Sequence, residues 1–495
     1  MPRTLPCLAA LLCVSVIGMA RAQIEPGSGV SAAQVAAVEK SETIMKRAQQ
    51  RKGLLAQYQV MRYAYNEDSS SAFRVIFGQY LSWYQTFIGD YSDALQSFSI
   101  RERPLPDDNP SPAAEPGYHA VPALAYLPKL AKDYRVVFLN EAHNVPLTRS
   151  LTVQLLKQLR EEGFNYFAAE TLYRTDTGLQ QRGYPTATSG FYTREPVYAE
   201  MVRTALKLGY KVVAYEADDE HTGDARERQQ AEHLYDVLKR DPGAKLVVNA
   251  GYAHIQEQGK FLGAQSMAEH FRAISGLDPL TIEQTMLIPH GNGFMDHPDY
   301  TAIVQSANPT QPIVFINAQG QPWSLRPGYD ASVIFPETRE RNGRPTWLTL
   351  GDLRVPYFVD GNLCQGRYPC LIEARYGDEG NDAIPADRLV LDTVPLMLIG
   401  NIQVTTNYSA LPVGELYLRP GRYRLSAVDQ NGRLLYNGPI SVSADSGSQQ
   451  ARASVGCGTP GSGMRMALAV SNARDQTAAV GNSPSDSSCS AGARP

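Results

Sequence analysis

Two ionisable side chains follow an apolar run in the stretch VVFLNEAHNVP. Glu141 and His143 are separated by one residue, at the point where a buried strand is predicted to end. A carboxylate beside an imidazole can hold the ring in one tautomer, so that the other ring nitrogen acts as a general base on water or an alcohol. The pair is therefore a candidate for hydrolytic chemistry.

Three further apolar runs also finish in ionisable residues. FNYFAAET contains Glu170, KVVAYEAD contains Glu216 and Asp218, and KLVVNAGYAHI contains His254. If the runs are parallel strands, their carboxyl ends meet at one rim, which is where open α/β sheets bind ligands. The predicted catalytic residues are Glu141, His143, Glu170, Glu216 and His254. The alternative is ordinary rim polarity, because chains that emerge into solvent often become polar.

Substrate binding is predicted for Arg149, Asp218 and His221, although Arg149 could instead form a structural salt bridge. A second chemistry is a divalent metal ion with His143, His254 and Glu141 as candidate ligands, which would acidify a bound water. The sequence has no His-Glu-x-x-His motif, no Gly-x-Ser-x-Gly elbow and no glycine-rich phosphate loop. These absences disfavour the known zinc-protease, serine-hydrolase and dinucleotide-binding patterns.

Alternation of strands with helices between residues 123 and 345 indicates how these side chains are positioned. Each strand is followed by a helix with one apolar face, and the first such helix ends at Gly163. PIVFIN and DASVIFP add edge strands near residues 312–336. The predicted fold class is α/β, with a mostly parallel sheet sandwiched by helices.

The flanking regions have other textures. Residues 23–102 are predicted to be helical, with an aromatic stripe, and residues 103–122 form a proline-rich linker or crossing segment. Residues 346–384 are predicted to be a connector that contains a disulfide. Short alternating strands and an Asn-Gly turn predict a small all-β accessory domain over residues 385–447, followed by a Gly/Ser-rich tail over 448–495.

The first 22 residues read as a secretory signal peptide, and no later apolar run reaches the ~18 residues that a membrane helix needs. We therefore expect an exported protein, periplasmic or secreted, without a transmembrane anchor. The whole chain carries 46 basic and 50 acidic residues; loss of two arginines with the signal peptide changes the net charge from −4 to −6. This charge, without a basic cluster, argues against nucleic acid as a partner.

Four cysteines remain after removal of the signal peptide. In an oxidising compartment they are expected to form two disulfides, and of the three connectivities we favour the local pairs Cys364–Cys370 and Cys457–Cys489. The alternative is free buried thiols.

The segments LNEAHNVP, EEGFNYFAAETL, KLGYKVVAYEAD and AKLVVNAGYAHI, in this order, resemble the α/β superfamily of erythromycin esterases, haem-uptake lipoproteins and Tiki-type metalloproteases. The resemblance covers about residues 134–290. It implies that the five predicted catalytic residues match the superfamily's site. Asn140 stands where the superfamily usually has glycine, and the single residue between Glu141 and His143 is as in the haem-uptake and Tiki groups.

Three hypotheses about function follow. The first is an exported hydrolase that cleaves an ester or amide of a small-molecule substrate with the His/Glu site. The second is a binding protein for haem or another iron ligand, without catalysis. The third is a site that has lost its activity in a protein whose β domain serves adhesion or assembly. The cofactor stays open between a divalent metal, haem and none.

Overall fold

The computed structural model describes residues 31–99, 101–115, 117–218, 220–261, 263–392 and 413–444. These residues belong to one compact unit. The predicted signal peptide, the Cys457–Cys489 pair and the tail over 448–495 lie outside the described residues. In the part of the chain that is described, no helix is both long and apolar enough to span a membrane.

From residue 31 onward, where the described residues begin, four helices form the N-terminal region: α1 (Ala32–Gln49), α2 (Leu54–Glu67), α3 (Ser71–Phe87) and α4 (Tyr91–Ser97). Ser31 caps α1 through a reciprocal pair of hydrogen bonds with Gln34. The predicted aromatic stripe lies on α3 and is buried. On the same helix, Trp83 packs edge-on against Phe191, with ring centroids 5.5 Å apart, so α3 covers the central domain with aromatic side chains.

Strands and helices then alternate, as the sequence pattern predicts. The elements are β1 (His119–Pro122), α5 (Ala123–Ala131), β2 (Val136–Glu141), α6 (Leu147–Glu161), β3 (Tyr166–Ala169), α7 (Leu179–Arg182), α8 (Pro196–Lys207), β4 (Lys211–Ala214), α9 (Gly223–Arg240), β5 (Leu246–Gly251), α10 (Met267–Ser275), β6 (Leu280–Glu283), α11 (Pro298–Ala307), β7 (Ile313–Ile316) and β8 (Ala331–Ser332).

Six of these strands form the central sheet, in the order β4-β3-β5-β2-β6-β8, and every neighbouring pair is parallel. Val137 and Leu139 of β2 belong to the apolar core on one face, whereas Val136 and Phe138 belong to the core on the other. The sheet is therefore covered on both faces, and the predicted α/β fold class is confirmed.

The two predicted edge strands behave differently. β8 lies at the edge of the central sheet, as predicted. β7 instead pairs antiparallel with β1, which is the end of the proline-rich segment, in register from His119 opposite Ile316. The proline-rich segment is held to the central domain at other points too, because Trp323 donates its indole N–H to the Pro110 carbonyl at 3.0 Å.

The C-terminal region is antiparallel and all-β, as predicted. Its strands are β9 (Glu340–Arg341), β10 (Arg344–Pro345), β11 (Val355–Asp360), β12 (Cys370–Tyr376), β13 (Asp387–Leu391), β14 (Val413–Leu418), β15 (Gly421–Asp429) and β16 (Leu434–Val442). They pair as β9-β10, β11-β14 and β13-β12-β15-β16. Cys364 and Cys370 form the predicted disulfide. β11 and β12 fall within residues 346–384, the segment predicted as a connector.

Buried ion pairs join the β region to α8 of the central domain. Arg203 makes a bidentate pair with Glu379, at 2.7 and 2.8 Å, and is fully buried. One turn earlier, Glu200 accepts hydrogen bonds from Tyr376 at 3.0 Å and from Arg419 at 2.6 Å. These contacts clamp α8 between the sheet and the β region.

Candidate active site

Glu141 ends β2, and His143 lies two residues further on, over the neighbouring strand β5. His143 Nδ1 is 3.1 Å from the Glu141 carboxylate. The imidazole stacks on Tyr192, with centroids 4.2 Å apart, and Tyr252 packs edge-on at 5.0 Å. His143 is 8% exposed and Glu141 is fully buried, so the two aromatic rings hold the imidazole in one orientation over a buried carboxylate.

Arg149, in the first turn of α6, anchors Glu141. Its guanidinium donates to the two carboxylate oxygens at 2.5 and 2.9 Å, and also to the His143 carbonyl at 3.1 Å. Burial alone would raise the pKa of Glu141, but Arg149 and then His143 lower it to about 2. The ionised carboxylate can only accept hydrogen bonds, so Nδ1 of His143 carries the proton and Nε2 is the basic nitrogen.

A second carboxylate–imidazole pair lies beyond the end of β5. His254 Nδ1 is 2.6 Å from Glu227 of α9, which also accepts a hydrogen bond from the Met267 amide at 3.0 Å. Burial would lower the pKa of His254, but Glu227 and then Glu170 outweigh it, so the pKa is raised. The surroundings of His254 therefore favour its protonated form.

Glu170 lies between the two pairs. Its carboxylate accepts hydrogen bonds from the Gly251 amide at 2.5 Å and from the Arg226 guanidinium at 3.0 Å. His254 Nε2 lies 3.6 Å from the same carboxylate. Burial would raise the pKa of Glu170, but His254, His143 and Arg226 lower it to about 2. An ionised carboxylate is therefore fixed at the end of β3, facing both imidazoles.

Gly251, the last residue of β5, allows this close packing. A Cβ atom at this position would lie 2.3 Å from His143 Cε1, 2.5 Å from His143 Nε2 and 2.9 Å from Glu170 Oε2. The backbone beside the site is also unusual, since Thr171 and Tyr252 have φ angles of 60° and 42°, in the left-handed region that favours glycine. Such strain concentrates at functional sites, which makes both strand ends part of the candidate site.

The structure brings together four of the five predicted catalytic residues directly, namely Glu141, His143, Glu170 and His254. The fifth, Glu216, joins them through Arg226, whose Nε and Nη2 contact its two oxygens at 3.0 Å each. The predicted site residues thus form two ion-pair groups at the carboxyl ends of β2, β3, β4 and β5, one around Glu141 and one around Arg226. The two groups meet at Gly251, where a Cβ atom would approach both His143 and Glu170.

Of the three predicted substrate-binding residues, Arg149 belongs to the group around Glu141, whereas Asp218 and His221 lie outside both groups. Arg149 is fully buried behind Glu141 and also pairs with Glu195 at 3.1 Å. Asp218 is on the surface and pairs with Arg174 at 3.1 Å. His221 makes no hydrogen bond to the cluster, and its Nδ1 is buried without a partner among the described residues.

The sequence analysis missed Arg226, Glu227 and Glu195. Arg226 and Glu227 stand in the charge-rich stretch DARERQQAEH, which is typical of a solvated helix face. Their only sequence-level indication is their place in the first turns of the helix that follows a site strand. Glu195 caps α8 by accepting hydrogen bonds from the Val197 and Tyr198 amides at 2.7 Å each. Glu is not among the residues that are preferred at this position, so the sequence did not indicate this role.

The three candidate metal ligands do not form a ligand set in this geometry. In the described ranges, no group of three or more His, Cys, Asp or Glu side chains is placed to hold a metal ion. His143 and His254 each direct Nδ1 to a carboxylate rather than to a shared point. Haem binding stays a prediction from the sequence.

Fold and site together define an α/β protein with a buried polar cluster at the carboxyl ends of a parallel sheet. No protein-family model and no curated protein matches the sequence. Ten chains of solved structures match parts of it at low similarity, among them three effector or toxin structures.

The first is the type III effector HopBA1, with 13% identity, a TM-score of 0.26, and 35% of this chain and 88% of that one covered. The second is RRSP, a MARTX toxin effector domain from Vibrio vulnificus, with 14% identity, a TM-score of 0.26 and coverage of 54% and 51%. The third is a structure of bacterial protein toxins, with 13% identity, a TM-score of 0.27 and coverage of 57% and 69%. Likenesses this weak carry no argument about function.

Proposed function

We propose that this chain is a hydrolase that cleaves an ester or amide bond. The observation that carries the proposal is the pair of imidazoles, each fixed at Nδ1 by a carboxylate and both facing Glu170. A structural role alone does not require two such pairs at the ligand-binding end of a parallel sheet. The signal peptide predicted for residues 1–22 and the Cys364–Cys370 disulfide support the proposal that the enzyme is exported.

The two imidazoles have different roles in this proposal. His143 is the general base, because the ionised Glu141 keeps the proton on Nδ1 and leaves Nε2 as the acceptor. His254 is the charged imidazole, because Glu227 and Glu170 favour its protonated form. Glu141, Arg149 and Arg226 are positioning residues, since each acts through a neighbour rather than on the substrate.

The reaction has a balanced course. His143 Nε2 takes a proton from a water molecule while the water oxygen bonds to the carbonyl carbon. His254 donates a hydrogen bond to the carbonyl oxygen as negative charge develops there. His143 then returns the proton to the leaving oxygen or nitrogen as its bond to carbon breaks, which regenerates both imidazoles.

The test is hydrolysis of a panel of esters and amides by the full chain and by His143→Ala. A general base contributes about 10²- to 10⁴-fold, so we expect kcat to fall by at least about 100-fold. His119→Ala is the matched control, because His119 is exposed on β1 and away from the cluster. Circular dichroism checks that both variants are folded.

Unchanged turnover in folded His143→Ala would contradict the proposal, as would activity that needs an added divalent ion and survives this substitution. The same assay with and without chelator makes that distinction, since the mechanism above predicts no dependence on added metal.

A further inference from the structure

A groove of about 1020 Å³ opens beside the N-terminal helices, between α2, α3, the end of α4 and residues 291–295. We call it the arginine groove, because Arg74, Arg101 and Arg103 line it. Arg101 and Arg103 are exposed and Arg74 is half-buried. Three positive charges therefore converge on one concave surface of a chain whose net charge is negative.

These arginines differ from the arginines of the buried clusters in their partners. Among the described residues, no carboxylate lies within 4.0 Å of any of the three, in contrast to Arg149, Arg203 and Arg226 of the buried clusters. Unlike those structural arginines, the three of the groove keep their charge available to a ligand.

Aromatic rings hold two of the guanidinium groups. Arg74 stacks over Tyr65 at 4.0 Å and Arg101 stacks over Phe294 at 3.7 Å. Stacking orients a guanidinium plane and leaves its edge N–H groups for a carboxylate, sulfate or phosphate. In Arg74 the Nε–H already donates to the Asp68 carbonyl at 2.7 Å, which leaves the terminal NH₂ groups for a ligand. Phe294 is 63% exposed, so the same surface also offers an apolar face.

The arginine groove adjoins the candidate active site. Phe98 lines it, and the Phe98 carbonyl accepts a hydrogen bond from Asn144 at 2.7 Å. The Asn144 side-chain oxygen accepts from the Tyr252 hydroxyl at 3.2 Å, and the Tyr252 ring packs edge-on against His143. Two residues thus separate the groove from the general base.

We propose that the arginine groove binds an anionic group of the substrate, so that the hydrolysed ester or amide belongs to a molecule with a carboxylate, sulfate or phosphate and an aromatic or apolar part. That the bound anion belongs to a substrate rests on the proposed function. The binding of an anion in the groove does not.

Binding is tested on the full chain carrying His143→Ala, with naphthalene-1-sulfonate as the probe and naphthalene-1-methanol as its neutral counterpart. The sulfonate is expected to bind more tightly than the alcohol, and more weakly as salt concentration rises. Replacing Arg74, Arg101 and Arg103 by Gln together is expected to weaken sulfonate binding by about 3-fold to 150-fold, the range for the loss of three exposed charge pairs. Arg433→Gln, an exposed arginine in the turn before β16, is the control and is expected to change affinity less than twofold.

Steady-state hydrolysis is the second test of the arginine groove. In the active chain, the triple Gln variant should lower kcat/KM for an acidic 4-nitrophenyl ester such as the hemisuccinate, and leave that for 4-nitrophenyl acetate unchanged. Equal sulfonate affinity in the triple variant and its parent, or no sulfonate binding by the parent, would overturn the groove proposal. Sulfonate binding that depends on the arginines in a chain with no hydrolytic activity would keep the groove and remove the proposed function.

Discussion

At the scale of single residues, the site depends on having no side chain at position 251. The Gly251 amide donates a hydrogen bond to Glu170, and the absence of a Cβ atom leaves the space that the His143 ring occupies. Since the nearest atoms to a Cβ here belong to a stacked imidazole and a buried carboxylate, neither can move away cheaply.

Gly251→Ala is therefore expected to displace His143 from Glu141 and to lower kcat/KM by about 100-fold, which is the scale reported for misplacing a catalytic group by about 1 Å. Gly243→Ala is the matched control, because Gly243 is exposed before β5 and its Cβ would approach only the Asp241 carboxylate, at 3.4 Å. Steady-state kinetics on both variants decides the point. A Gly251→Ala enzyme with the activity of Gly243→Ala would show that the ring and glycine need not pack this closely.

The raised pKa of His254 predicts how activity depends on pH. In the mechanism, His254 must be protonated, so activity is lost as pH rises through its pKa. Glu227→Gln removes the largest contribution that raises this pKa, and the alkaline limb of the kcat/KM profile should move to lower pH. Glu232→Gln, five residues along the same helix and exposed, should leave the limb in place. An alkaline limb that Glu227→Gln does not move would assign that limb to another group.

At the scale of elements, α8 is the piece that connects the site to the β region. Its N-terminus holds Glu195, which contacts Arg149, and its later turns hold Glu200 and Arg203, which contact the β region. A change in how the β strands pack on α8 would therefore reach Glu141 through two side chains.

Arg203→Met tests the strength of this clamp. The change leaves Glu379 and the Ile384 carbonyl without their buried partner, at an expected cost of about 3–5 kcal/mol in the free energy of unfolding. The double change with Glu379→Met should recover part of that loss, since it removes both charges. Arg228→Met, in an exposed pair with Glu232, should cost about 0.5 kcal/mol or less. Urea unfolding measures all three, and equal midpoints for Arg203→Met and Arg228→Met would contradict the clamp.

Sequence periodicity was enough to locate the elements of the central domain, because buried parallel strands are continuous apolar runs and their helices carry one apolar face. The ends of three such runs also pointed to Glu141, His143, Glu170 and His254, which the structure brings together. The sequence pattern could not show that β7 pairs with β1 rather than with the central sheet. β7 and β8 are both short apolar runs, and such a run does not specify its partner strand.

Side chains that act across long separations were beyond prediction. Glu227 meets His254 from a helix whose composition is typical of a solvent-exposed face. Glu379 meets Arg203 across 176 residues. Such pairings depend on how elements pack in three dimensions, which no short window of sequence encodes.

At the scale of the whole molecule, the strand order has a consequence for biosynthesis. The two sheet neighbours of β2 are β5 and β6, and both follow it in the chain. While the polypeptide is being made, β2 has no neighbour to pair with until residue 251 has been added. Glu141 is therefore synthesised more than a hundred residues before the glycine that faces it, and the nascent chain must close that long loop before the site exists.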